Sequence, residues 1–338
     1  VEPGEEILFV PASLIITPGA ASAASPVAQA VADLWAVAAE KAARAAAAAA
    51  AAAAQGRRPA FRLEGEAFWE DRLADLTSLA SQEQVVLAAF LADHWQRGGG
   101  GTPYAAWLAA VPRDYPSCPT LWTPEELKCL GSSDEREIIV EKQKRWLQEF
   151  LTLQHFVPGM REFSYVHFAR ARVAVESRTH GVVVGDPPAE QTSFVPFADL
   201  MNHNLTFSAL WSSERAPGAQ QGFRVVVPQG ASQGSPLLCS YGRKSHSEFF
   251  RTYGFADEHA PREVALHIDL ARDDPYLAMR KGLLLELGAY RTFPVKGGAG
   301  QPAMTARDFA LLAAFLRVAA ATPAALEEAA DAAEAASE

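Results

Sequence analysis

The sequence predicts an α+β protein in which a β-rich core is interrupted by a helical insertion and followed by a helical C-terminal domain. Three observations support this. Strand-like apolar runs stand at residues 5–16 and again after Arg178. The stretch between, from Glu66 to about Phe168, has a helical period. Helical pattern resumes after Asp257. Strands, helices, strands and helices again is the order expected of an α+β fold or of inserted domains.

Taken in order, EEILFVPASLII (5–16) reads as two short strands broken at Pro11, after a Pro3-Gly4 turn. Residues 18–60 are rich in Pro, Ala and Ser, with a helix expected from Val27 through the alanine tract Ala45–Ala54, because alanine has the best helix propensity. Val85, Leu87, Ala88, Leu91 and Trp95 form an apolar face at i, i+3, i+4 spacing, and Gly98–Gly101 ends that helix. Thr123-Pro124-Glu125-Glu126 reads as a helix start, with Thr123 and Glu126 as a capping box. Ile138, Ile139, Trp146, Phe150 and Leu151 mark a further amphipathic helix. Strands are expected at Val182–Val184, Phe207–Trp211, Phe223–Val227 and Leu237–Cys239, and helices around Leu283–Leu287 and Phe309–Val318. The Ala/Glu-rich tail after Pro323 reads as a frayed helix or disordered segment.

Composition excludes several classes. The 338 residues can bury a sizeable core, and a formal charge of −10 argues against a general nucleic-acid binder, whose affinity comes from Lys and Arg on phosphates. Cys118, Cys129 and Cys239 are widely spaced, which fits a reducing compartment and neither a disulfide framework nor a Cys-rich zinc site. No apolar run of about 20 residues suggests a membrane span. His155, His167 and His180 show no metal-ligand spacing and read as surface or core histidines.

The chemistry concentrates in FVPFADLMNHN (194–204) and CSYGRKSHSEFFRTYGF (239–255). Asp199, Asn202 and His203 share a short segment with Phe197, Leu200 and Met201, and polar groups in apolar surroundings need partners that a ligand can supply. Tyr241-Gly242 and Tyr253-Gly254 each place a phenol beside a residue that permits sharp turns or close approach.

This pair of segments resembles the SET-domain methyltransferases, and the order of elements resembles their Rubisco large-subunit lysine methyltransferase-like subgroup. GEEILFVPASLIIT is similar to the first SET segment, TPYAAWLAAVPRDYP and WTPEELKCL to the insertion, and FARARVAVESR to the helix re-entering the core. YGFADEHAPREVALHIDL is similar to the passage into the C-terminal domain. The resemblance implies a first SET segment at 1–18, a helical insertion at 19–180, a second SET segment at 181–256 and a partial helical substrate-binding domain at 257–338. It implies a protein-lysine N-methyltransferase using S-adenosylmethionine on a non-histone protein, working as a monomer without zinc, nucleic acid or membrane. Chloroplast and cytoplasm both fit as locations.

On this resemblance Tyr253 borders the transferring methyl and orients the amine. A hydroxyl of pKa near 10 is a poor base at neutral pH, so its role is positioning. Asn202 and His203 hold the cofactor, with Phe255 against the adenine plane. Arg178 matches a position facing cofactor and substrate, or is an ordinary ion-pair residue. Asp199 matches a substrate-side acid, or caps a turn; Tyr241 forms a channel wall, or packs in the core. Three departures stand out: no G-x-G turn precedes the first segment, Lys244-Ser245-His246 stands for the usual K-S-N, and Gly234-Ser235-Pro236 replaces a Gly-Glu-Glu entry. The missing turn predicts poor cofactor binding by residues 1–338 alone. It leaves open a catalytically impaired interaction module, and the scaffold also leaves open histidine as the target.

Overall fold

In the computed structural model the described residues are 1–54, 66–131, 133–204, 206–213, 220–242, 244–257, 263–267, 270, 274–286, 292–296, 304 and 306–326. The chain forms two compact units, residues 1–242 with 247–257, and residues 243–246 with 258–338.

The first unit opens on β1 (Glu5–Pro11) and a 3-10 turn. A helical block follows: α1 (Pro18–Ala24), α2 (Pro26–Ala54), α3 (Glu66–Leu79), α4 (Gln82–Arg97), α5 (Ala105–Ala110), α6 (Asp134–Phe156) and α7 (Tyr165–Arg178). Strands β2 (Thr179–Val184), β3 (Ala189–Phe194), β4 (Asn202–His203), β5 (Leu210–Ser212), β6 (Gly222–Val227) and β7 (Leu238–Cys239) come next, then α8 (His246–Tyr253). β1, β6 and β5 form an antiparallel sheet, β2 pairs antiparallel with β3, and β4 runs parallel to β7. Val10, Ile15, Val182, Val184, Val195, Phe223 and Val225 pack into one small core between these strands. The helical block has its own larger core around α4.

The expected second strand within 5–16 is reduced to a single bridge, Ile16 with Phe194, because the chain after Pro11 makes a 3-10 turn instead. The alanine tract does continue α2, and it does so as an exposed extension beyond the packed positions Val27, Val31, Trp35 and Ala38. α4 is buried all round from Val85 to Trp95, more completely than its apolar stripe predicts, and Gly98 ends it at φ 82°, a left-handed cap that glycine adopts without strain. Thr123 and Glu126 do exchange capping bonds, but over a short 3-10 helix at Glu126–Leu130. Leu151 is exposed, since it lies one residue off the face that buries Phe150 and Leu153.

The helical block also holds a buried charge pair that no apolar pattern reveals. Arg172 of α7 lies 3.2 Å from Glu149 of α6, donates to Gln84 of α4, and stacks its guanidinium 5.2 Å above Trp146. Beside it Lys142 pairs with Glu176. Burial pushes the Glu149 carboxyl up to about 7, against the opposing pull of Arg172. Replacing one partner of such a pair strands the other charge, at a cost of about 3–5 kcal/mol. Arg172→Met should therefore destabilise the protein by about that much near pH 8. The folded-state shift is upward, so the Glu149 contribution is fully present below the unfolded carboxyl value and lost as pH rises through about 7. Denaturant unfolding should show a clearly smaller penalty for Arg172→Met at pH 5 than at pH 8. Equal penalties at the two values would show that Glu149 keeps its charge throughout.

The second unit pairs β8 (Glu263–His267) antiparallel with β9 (Thr292–Lys296) and carries α9 (Leu277–Glu286) and α10 (Ala306–Ala320). The β8–β9 pair stands in a region whose sequence pattern predicts helix. Leu270, Leu284 and Phe315 form its core, and Arg280 donates to the carbonyls of Val318 and Ala321, satisfying groups at the end of α10. The tail after Pro323 lies outside the described residues from 327 onward. Among the described residues no helix is long and apolar enough to cross a membrane.

Candidate active site

The two motif segments meet through β4 and β7. Asn202 pairs with Leu238 and His203 with Cys239, and the Asn204 amide donates to the Cys239 carbonyl at 3.1 Å. Ser208 and Ala209 amides both donate to Leu238 O, so the chain after β4 wraps the same strand. His203 then pins the chain beyond β7. Its Nδ1 accepts from the Tyr241 amide at 2.9 Å, and its Nε2 lies 3.1 Å from Asp257 Oδ2. The imidazole is 2% exposed and packs against Tyr241, Phe249 and Phe255.

Tyr253 closes this aromatic group. Its ring stacks on Tyr241 at 4.8 Å and lies near Phe249 and Phe255. Burial pushes both phenols up to about 12, so each keeps its proton at neutral pH. Their hydroxyls differ in occupation. Tyr241 donates to Met201 O at 2.7 Å, whereas the Tyr253 hydroxyl makes no hydrogen bond among the described residues.

Arg178 and Asp199 form a second group. Arg178, at the end of α7, donates through Nη1 to the Asp199 carbonyl at 2.9 Å and through Nε to the Tyr115 hydroxyl at 3.3 Å. Its Nη1 also lies 3.8 Å from Asp199 Oδ2. The Asp199 side chain is fully buried, and its Oδ1 accepts from the Trp107 indole at 3.0 Å. Burial pushes the Asp199 carboxyl up to about 6, while the Trp107 hydrogen bond and the Arg178 charge pull it down. Asp199 sits on a 3-10 turn entered through Phe197 at φ 68°, the one non-glycine positive φ among the described residues. A bulky residue there stores local strain and turns the chain sharply out of β3.

α6 and loops of the helical block hold α8 in place. Arg251 makes a two-pronged pair with Glu135 at 2.8 and 2.9 Å, Trp122 packs edge-on against Phe250, and Cys118 Sγ approaches the Arg251 carbonyl. Gly254, at φ 78°, lies so close to the loop that a Cβ would sit 2.6 Å from the Ser117 carbonyl carbon.

Of the sequence-predicted residues, His203, Tyr241, Tyr253 and Phe255 fall in one aromatic group, and Arg178 and Asp199 in the other. The groups adjoin where the Tyr241 hydroxyl meets Met201, two residues past Asp199. Asn202 is exposed at the edge of β4. Trp107, Tyr115 and Asp257 were not singled out from the sequence. Trp107 and Tyr115 lie within TPYAAWLAAVPRDYP, where their aromatic character reads as core, and only the fold brings them to Arg178 and Asp199. Among the described residues no His, Cys, Asp and Glu cluster could hold a metal ion.

No protein-family model matches the chain, and no curated protein matches it. Among solved structures it is similar to the SET domain of LSMT bound to lysine and AdoHcy, with TM-score 0.62 and 17% identity over 96% of this chain and 63% of that one. It is similar also to the same SET domain bound to MeLysine and AdoHcy, with TM-score 0.63 and 18% identity over 95% and 62%. Rubisco LSMT bound to AdoMet gives TM-score 0.60 and 18% identity over 96% and 62%. The chain thus has the SET-domain fold of these structures and spans a little over three-fifths of their length.

Proposed function

We propose that this protein is an S-adenosylmethionine-dependent N-methyltransferase acting on a lysine of a non-histone protein. The observation that carries the reading is the Tyr253 hydroxyl. It is held by stacking on Tyr241, kept protonated by burial, and makes no hydrogen bond among the described residues, unlike those of Tyr115 and Tyr241. A phenol so placed can orient an incoming amine and cannot remove its proton at neutral pH. The fold shared with structures that hold AdoMet, AdoHcy and lysine supports the same reading.

The residues present fit such a cofactor. Asn202 is exposed and offers both a donor and an acceptor to a purine edge, and Arg178 keeps N–H groups beyond those given to Tyr115 and Asp199 for a carboxylate. The His203 Nδ1 is already taken by the Tyr241 amide and its buried Nε2 faces Asp257, so in this reading His203 serves through its backbone and by fixing Tyr241, with Phe255 packed near it. S-adenosylmethionine supplies, when bound, an electrophilic methyl on a sulfonium. The chain's part is to align the amine with that methyl, strip water from it and lower the cost of its deprotonated form. Tyr241 and Tyr253 form the apolar wall for that desolvation, and Asp199 keeps Arg178 in place.

Calorimetric titration with S-adenosylmethionine tests the site and, with it, the expectation that residues 1–338 alone bind the cofactor poorly. Asn202→Ala should bind about tenfold more weakly than the unaltered protein, the scale of one lost hydrogen bond. Equal affinity in the two proteins removes Asn202 from the cofactor site.

A further inference from the structure

The Asp199 carboxylate is buried next to an arginine that is itself partly exposed, and the group that keeps it there comes from a distant helix. Trp107 of α5 is almost fully buried, packs on Phe194 at 5.0 Å, and aims its indole N–H at Asp199 Oδ1. The other oxygen, Oδ2, makes no hydrogen bond among the described residues and lies 3.8 Å from Arg178 Nη1. A buried carboxylate with few hydrogen bonds is costly, and the Trp107 bond is the largest of the influences that favour its ionised form, ahead of Arg178 and of the backbone at Asp199 and Phe197.

We infer that Trp107 is a positioning residue of the proposed methyl-transfer site, whose indole N–H holds the Asp199 carboxylate so that Asp199 and Tyr115 together hold the Arg178 guanidinium for the carboxylate of the cofactor. This rests on the S-adenosylmethionine reading above. The chain of contacts is continuous: Trp107 Nε1 to Asp199 Oδ1 at 3.0 Å, Asp199 O and Oδ2 to Arg178 Nη1 at 2.9 and 3.8 Å, and Arg178 Nε to Tyr115 at 3.3 Å. Arginine has five N–H groups in a rigid fork, and two of them are spent on these inward partners. The remaining N–H groups belong to an 18% exposed side chain and are oriented by the inward ones.

The charged and titratable groups facing Asp199 are Arg178 from α7, Tyr115 from the loop after α5, and Tyr241 after β7. Burial raises both phenols and arginine keeps its charge, so Asp199 is the member of this group that changes charge between pH 5 and 8. Loss of the Trp107 donor removes one of the two side-chain influences that hold its carboxyl down, and protonation then leaves Arg178 without its counter-charge.

The test is calorimetric titration with S-adenosylmethionine at several pH values between 5 and 8.5, on the unaltered protein, Trp107→Phe, Asp199→Asn and the double variant, each checked for folding by thermal unfolding. Trp107→Phe keeps an aromatic ring in the core and removes the N–H together with part of the indole's volume, which is why stability is read separately from the pH profile. The expected result is an acid-side loss of affinity that moves up by about one pH unit in Trp107→Phe, with about twofold weaker binding at pH 7, a larger deficit near pH 6 and recovery toward pH 8.5. Asp199→Asn should weaken binding about tenfold without that pH dependence, and the double variant should be no worse than Asp199→Asn alone. If Trp107→Phe does not fold, Asp199→Asn carries the test, because it leaves the indole in place and must still abolish the acid limb. A Trp107→Phe protein that melts earlier but shows an unshifted pH profile overturns the positioning role and leaves the cofactor reading standing. Failure of the unaltered protein to bind at any pH overturns the cofactor reading and this inference with it.

Discussion

Tyr253→Phe is expected to lower single-turnover methyl transfer on the order of 10²-fold, the scale of losing alignment at the reacting centre, while cofactor affinity stays close to that of the unaltered protein. The phenyl ring still stacks on Tyr241 and packs near Phe249 and Phe255, so the fold and the cofactor contacts survive. The removed hydroxyl takes part in no hydrogen bond among the described residues, so none of these is broken when it goes. The substitution also opens room beside the amine, and the product should shift in its degree of methylation. A labelled-cofactor screen of host-cell proteins identifies the substrate, and mass spectrometry then reads both the state of methylation and whether lysine or histidine receives the group. An unchanged rate and product pattern would make Tyr253 a packing residue and pass the catalytic role to Tyr241.

Gly254→Ala is expected to cost about 2–4 kcal/mol, the sum of a left-handed backbone penalty and an overpacked contact. The backbone there stands at φ 78°, and a Cβ would meet the Ser117 carbonyl carbon at 2.6 Å and its oxygen at 2.7 Å. These are backbone atoms of a loop held against α8 by the Cys118 contact, and α8 is itself tied to α6 through Arg251 and Glu135, so neither side has an easy way to give. Because Gly254 follows Tyr253 directly, turnover should fall along with stability. Urea unfolding measures the first effect, and an unchanged midpoint would show that α8 can move off the loop at no cost.

The β-rich core, the helical block and the site motifs were legible because each has a strong local signature. Alternating or continuous apolar runs mark β1, β2 and β6, and helical spacing marks α4 and α6. A polar triplet among apolar residues marks 199–203. The elements that stayed hidden are set by tertiary contact. AEQTSF, the sequence of β3, has too little apolar alternation to announce a strand, and it is one because β2 pairs along its whole length. β8 and β9 hid in a region dominated by helical pattern. Of the site residues, His203 reads from sequence as a cofactor contact, but the fold commits its ring to Tyr241 and Asp257. Trp107 was unreadable for a different reason: an indole in an apolar helix looks like core, and it is core, except for one N–H.

The β1–β6 pairing has a consequence for how the unit comes into being. Glu5 lies opposite Val227 and Pro11 opposite Gly222, so this sheet cannot close until β6 has left the ribosome. By then α1 to α7 are already complete, and chains fold their early parts first during synthesis. The folded helical block brings its two flanks together at Ile16 and Phe194, whose backbones exchange hydrogen bonds at 2.9 and 3.1 Å. It thereby turns a long closure into a short one and removes much of the entropy that the non-local pairing would otherwise cost. α8 and Tyr253 follow later still. The proposed site is therefore the last part of the first unit to be completed, and a nascent chain halted before β6 carries a finished helical block beside an unpaired strand, a state open to aggregation.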